Sequence, residues 1–207
     1  MYARFGPSLF CLTLWFGSTL SPIACTVAAA DHIKAVVPAP QTQAWWFERH
    51  ARVVARIQQS PVDLLFIGDS ITQGWEEAGR RVWETFYGRR RAANLGFNGD
   101  QTDNVLWRLQ HGELDDIAPK LAIVMIGTNN TAMRKEPPEQ TAAEIETILT
   151  TLRTRLPQTK ILLLAVFPRG WSANDPLRLV NQSVNERLPA YADQRQVSFR
   201  DLGPHFL

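Results

Sequence analysis

The sequence predicts an α/β fold, a three-layer α/β/α sandwich built on a parallel five-stranded sheet. Three observations carry this. Short apolar runs alternate with helical patterns throughout the chain after residue 60. Those runs are nearly continuous in apolar character, as strands buried on both faces are. The longest helical pattern, from about Pro138 to Leu156, repeats Ile145, Ile148, Leu149, Leu152 and Leu156 on one face. A strand that lies parallel to its neighbour needs a crossover, and right-handed helical crossovers distribute helices over both faces.

Taken in order, residues 1–30 read as a signal peptide: Arg4 supplies the positive flank, Ser8 to Leu20 the apolar stretch, and Ala28-Ala29-Ala30 a small-residue cleavage site that would leave Asp31 first. The apolar stretch is shorter than the ~20 residues needed to span a bilayer, so export to the periplasm or medium is expected over anchoring. Lipidation at Cys25 is the competing expectation, weakened by Pro22. Residues 31–61 read as a linker containing Pro38 and Pro40, followed by a leading amphipathic helix from Ala44 to Gln58. Residues 62–207 form the main domain, with strands expected at Val62–Ile67, Ala92–Leu95, Leu121–Ile126, Ile161–Val166 and Val197–Phe199. A second amphipathic pattern, Leu177, Val180, Val184 and Leu188, precedes Pro189.

Composition narrows the function. The 207 residues are 45% apolar and 20% charged, which suits one globular domain once the leader is set aside. A net charge of +2 argues against a nucleic-acid partner, and Arg89-Arg90-Arg91 reads as a solvated turn. Both cysteines, Cys11 and Cys25, fall in the leader, so the mature domain is expected to have no disulfide, thiol nucleophile or cysteine metal site. No metal or other cofactor is implied.

In a parallel sheet the loops after the strands open at one edge, where ligands usually bind. Strand one ends in Gly68-Asp69-Ser70-Ile71-Thr72, strand two in Asn94-Leu95-Gly96-Phe97-Asn98-Gly99-Asp100, strand three in Gly127-Thr128-Asn129-Asn130. A hydroxyl, glycine backbone N–H groups and a neutral carboxamide donor are the parts that ester hydrolysis needs. Each has a purely structural explanation as well: Ser70 with Gln73 fits a capping box, Asn129-Asn130 an Asx turn, and the glycines turn geometry. Three such sets at three successive strand ends favour the chemical reading. Position 72 is Thr, so Ser70 lies outside a G-x-S-x-G elbow.

Gly-Asp-Ser, then Asn-x-Gly-x-x-Gly-Asp, then Gly-Thr-Asn-Asn resembles the SGNH (GDSL-like) hydrolases, in the branch of the platelet-activating-factor acetylhydrolase catalytic subunits and their bacterial relatives. The similarity continues through Arg49-His50, Val105-Leu106-Trp107-Arg108-Leu109, Gly112-Glu113-Leu114, Pro168-Arg169-Gly170, Asn181 and Asn185. The resemblance implies a flavodoxin-like SGNH fold and a serine-type carboxylic-ester hydrolase acting through an acyl-serine. It implies Ser70 as nucleophile, with its own N–H, the Gly99 N–H and the Asn129 side chain as oxyanion hole, and Asp69 as a loop organiser. Substrates would be acetyl or other short acyl esters, on a small molecule, lipid or polysaccharide; a homodimer is left open.

The family's general base is a His in a D-x-x-H motif. Here Asp201 and His205 are four apart, and His32, His50 and His111 lie in the linker, the leading helix and a helix end. The domain is therefore expected to be C-terminally truncated, without its last helix and nearly inactive. The alternative is a catalytically silent exported binding protein that keeps the pocket.

Overall fold

The computed structural model describes residues Ile33–Leu207. The expected leader 1–30, its cleavage and the lipidation alternative at Cys25 lie outside the described residues.

Five strands, β1 (Leu64–Gly68), β2 (Ala92–Gly96), β3 (Leu121–Met125), β4 (Lys160–Leu164) and β5 (Val197–Arg200), form one sheet in the order β2-β1-β3-β4-β5. Every pairing is parallel, with Leu65 opposite both Ala93 and Ala122, and Ile161 opposite Val197. All five expected strands are present, with ends shifted by up to two residues. The order reverses direction after β2, so the switch point lies between β1 and β3.

Around the sheet lie α1 (Ala44–Gln59), α2 (Ser70–Gln73), α3 (Arg80–Phe86), α4 (Thr102–Gln110), α5 (Thr128–Met133), α6 (Pro138–Arg155) and α7 (Pro176–Asn185). Pro138 begins α6 at a position whose N–H would have no helical partner, with Glu139 in the first turn and Arg153 and Arg155 in the last to complement the dipole. Asp175 caps α7 by accepting from the Leu177 N–H.

Alternate strand residues, among them Leu65, Ile67, Leu95, Val124, Ile161 and Leu163, point into one fully buried core. Trp46, Val53 and Ile57 of α1, Val105, Leu106 and Leu109 of α4, and Ile145, Ile148, Leu149 and Leu152 of α6 close it. The opposite face is covered over β1 by an aromatic cluster in which Phe66 meets Trp83 and Tyr87, each at 4.9 Å between ring centroids. The intervening parity places Phe66, Ile123 and Leu162 side by side on that second face.

The segment read as a linker is extended and tied down where it is described. Lys34 and Gln140 exchange two hydrogen bonds of 2.8 Å, Ala39 donates to the Asp103 carbonyl, and Gln41 reaches the loop after β2. It crosses the same edge as the strand ends.

Candidate active site

Two glycines let α2 sit tightly on the sheet. A Cβ on Gly96 would lie 2.2 Å from the Gln73 nitrogen, and one on Gly68 would lie 2.3 Å from Thr72 Oγ1 and 2.5 Å from the Met125 carbonyl oxygen. Asn94 completes the seat: its amide donates to the Thr72 carbonyl at 3.0 Å while its oxygen accepts from the Gly96 N–H at 2.8 Å. Arg49 of α1 donates to the Gly96 carbonyl at 2.8 Å and is held in turn by Glu76.

This seat presents Ser70, which is exposed, as the first residue of α2. The capping-box explanation does not hold. Asp69 is the cap, accepting from the Ile71 N–H at 2.9 Å, and the Gln73 side chain instead accepts from the Asn98 N–H at 2.7 Å. Asp69 is 1% exposed, and burial raises its carboxyl to about 6, with Asp100 adding to the rise and the Ile71 N–H and Arg169 opposing it.

The loop after β2 is built around Asp100. One carboxylate oxygen accepts from Trp46 Nε1 and Gln41 Nε2, each at 2.7 Å; the other accepts from Arg108 Nε at 2.8 Å. Arg108, fully buried, also binds Glu113 at 2.5 Å and the Leu95 carbonyl at 3.2 Å, and lies 3.9 Å over the Phe97 ring. Removing one member of such a buried ionic group costs about 3–5 kcal/mol, because the remaining charge is stranded. Gly99 precedes Asp100 at φ +76°, a conformation that favours glycine.

Asn129 is the second residue of α5, and its amide nitrogen donates to the Asp100 carbonyl at 2.9 Å. One N–H remains for a ligand. The Asx-turn explanation does not hold either, since Asn130 turns inward to Thr102, Glu136 and Glu144. Thus the ends of β1, β2 and β3 meet: Gln73 ties α2 to the Gly99 loop, and Asn129 ties α5 to it. Among the described residues, neither the Ser70 nor the Gly99 N–H donates to a protein group.

The late acid and imidazole do not join this group. Asp201 accepts from the Gly203 N–H at 2.7 Å, and His205 is exposed on the turn Gly203–Phe206. Among the described residues no hydrogen bond or ion pair links His205 to Asp201 or Ser70. His50 and His111 pack on Trp107, the latter stacked at 3.9 Å, and burial lowers His50 to about 4.

A model of the GDSL-like lipase/acylhydrolase family matches residues 66–207. The chain belongs to that family. The GDSL-like chain is 40% identical over 143 residues to the human platelet-activating factor acetylhydrolase IB subunit alpha2, a match covering 69% of this chain and 60% of the relative. The alpha1 subunit of Pongo abelii is 37% identical over 163 residues, covering 78% and 68%. The chain thus spans about 60% of the length of the first of these relatives. Its fold matches a GDSL-like lipase from Bacteroides thetaiotaomicron with TM-score 0.60 at 22% identity, covering 75% of this chain and 77% of that one. It also matches the acetylxylan esterase Axe2 from Geobacillus stearothermophilus with TM-score 0.57 at 19% identity, covering 71% and 78%.

Several residues that shape the site escaped the sequence reading. Gln41 fell in the presumed linker. Asp100, Arg108 and Arg169 appeared only within motifs, the last reaching Thr128 Oγ1 at 3.3 Å from beyond β4.

Proposed function

We propose that this protein hydrolyses carboxylic esters through an acyl-enzyme on Ser70. The Ser70 oxygen attacks the acyl carbon and passes its proton to a base. The oxyanion accepts hydrogen bonds from the Ser70 N–H, the Gly99 N–H and Asn129 Nδ2. Collapse expels the alcohol, which takes up the proton, and water then cleaves the acyl-serine. The observation that carries this reading is the Asn129 bond to the Asp100 carbonyl, which sets a neutral donor beside Gly99 on the edge that bears Ser70.

The proposed substrates are esters of short acyl groups such as acetyl, on a lipid or polysaccharide alcohol. Support comes from relatives named as acetylhydrolases and an acetylxylan esterase. Export through a leader at residues 1–30 belongs to the same proposal, and N-terminal sequencing of protein recovered outside the cytoplasm tests it. An intact Met1 on that protein would refute cleavage.

Because no imidazole among the described residues is bonded to Ser70, the 207-residue chain alone should turn over slowly. Loss of the His of such a triad costs on the order of 10⁶ in rate. This same observation favours the second reading, an exported binding protein with a silent pocket. The deciding experiment measures p-nitrophenyl acetate hydrolysis by the chain alone and by the chain joined to a D-x-x-H segment of a relative. A gain that Ser70→Ala abolishes supports the esterase. No gain from a folded fusion supports the silent protein.

A further inference from the structure

The peptide between Asn98 and Gly99 supplies one of the candidate oxyanion donors, and its direction is a choice between two turns. The Asp100 N–H donates to the Phe97 carbonyl at 3.1 Å, which closes a turn over Phe97–Asp100. Gly99 has φ +76° while Asn98 stays at negative φ, the pattern of a type II turn with glycine in third place. In a type I turn closed by the same bond, the central peptide is rotated by roughly 180°. A peptide unit is planar and trans, so its N–H and C=O point opposite ways. That rotation would carry the Gly99 N–H from one side of the loop to the other.

Gln41 grips the other end of this peptide. Its Nε2 donates to the Asn98 carbonyl at 3.0 Å and to Asp100 Oδ1 at 2.7 Å. Both partners are acceptors, so the carboxamide can meet them only through its NH2 end. The Asn98 N–H is held separately by Gln73 Oε1 at 2.7 Å, and Asp100 Oδ1 is held by Trp46 as well. Among the described residues, only Gln41 donates to the carbonyl that shares a peptide plane with the Gly99 N–H. The grip is itself anchored two residues earlier. Asn104 Nδ2 donates to the Ala39 carbonyl at 3.0 Å, and the Ala39 N–H donates to the Asp103 carbonyl at 3.3 Å. We infer that Gln41 is a positioning residue, which holds the Asn98–Gly99 peptide in the orientation that leaves the Gly99 N–H free for an oxyanion. Service to an oxyanion rests on the Ser70 reading; the hold on the peptide does not.

The test compares the parent 207-residue chain with two variants. Gln41→Glu keeps the size but sets a carboxylate against two acceptors, and Gln41→Met keeps the stem without a donor. NMR reads the amide–Hα couplings of Gly99, which report its φ, and the relaxation dispersion of the Gly99 and Asp100 amides. The parent should show one conformer, and both variants should show exchange centred on Asn98–Asp100. Acid quenching and peptide mass spectrometry then follow the acetylation of Ser70 by p-nitrophenyl acetate. Its limiting rate should fall about five- to fiftyfold in both variants, as for a misplaced donor, at an unchanged half-saturating concentration. Gly99 signals identical to the parent's in both variants would overturn the inference, whatever the change in Tm. Exchange at Gly99 with an unchanged rate at Ser70 would overturn the link to the oxyanion. If the parent takes no acetyl on Ser70, the nucleophile reading fails, and the Gly99 signals alone decide whether Gln41 holds the peptide.

Discussion

The Asn129 carboxamide nitrogen stands 2.9 Å from the Asp100 carbonyl oxygen, so the first turn of α5 and the loop carrying Gly99 are fixed to each other by a buried hydrogen bond. Two of the three candidate oxyanion donors, the Gly99 N–H and Asn129 Nδ2, therefore move together. Asn129→Ala should slow acylation of Ser70 by roughly 10²–10³-fold. It should also cost about 1–3 kcal/mol of stability, because a buried carbonyl loses its partner. Asn129→Asp, of equal size, should slow acylation at least as much by setting a carboxylate where negative charge develops. Stopped-flow acylation and urea unfolding of the same samples separate the two effects.

The glycines of the Ser70 seat offer a contrast within a few residues. Gly96→Ala drives a Cβ into the Gln73 backbone nitrogen, which can yield only if α2 shifts, so about 1–3 kcal/mol of destabilisation and a displaced Ser70 are expected. Gly74→Ala meets nothing within 4 Å and sits in right-handed helical geometry. It should leave stability unchanged or slightly raised. Thermal unfolding of the pair checks this, and equal losses would show that the seat is not the cause.

These residues also show where sequence reading stops. The strands β1 and β3 were legible because both their faces are apolar, and α1 and α6 because each buries one stripe. α3 is only seven residues long and has no buried residue, so Val82, Trp83 and Phe86 give too short a pattern to mark Arg80–Phe86 as a helix. The strand-end residues Ser70, Gly99 and Asn129 could be named from order and residue type alone. Their supports could not, because Arg108 meets Asp100 only through the approach of α4 to the β2 loop, and Arg169 lies 41 residues from Thr128. Similarly, nothing local distinguishes Asp69 from Ser70 as the cap of α2.

Asp69 makes the site's stability depend on pH. Its carboxyl, ordinarily near 3.8, is raised to about 6 in the folded protein, chiefly by burial. The folded state thus binds the proton more tightly than the unfolded chain. The resulting stabilisation is full below about pH 3.8 and is lost as pH rises through about 6. Asp69→Asn keeps an oxygen to accept from the Ile71 N–H and cannot ionise. The difference in Tm between Asp69→Asn and the parent should move in favour of the variant as pH rises from 4 to 7, by the parent's own shift to about 6. A difference that is constant across this range would mean that Asp69 titrates alike in both states.

The position at which an acyl group is trapped tests the role of Ser70 most directly. The chain is incubated with p-nitrophenyl acetate, quenched in acid and mapped by peptide mass spectrometry, with Ser70→Ala and His205→Ala treated in parallel. Acetyl should be found on the peptide containing Ser70 ahead of those containing Ser60, Ser172, Ser183 or Ser198. It should vanish from that peptide in Ser70→Ala and persist in His205→Ala. Hydrolysis that continues undiminished in Ser70→Ala, with no acetyl on Ser70 in the parent, would contradict the assignment of Ser70 as the nucleophile.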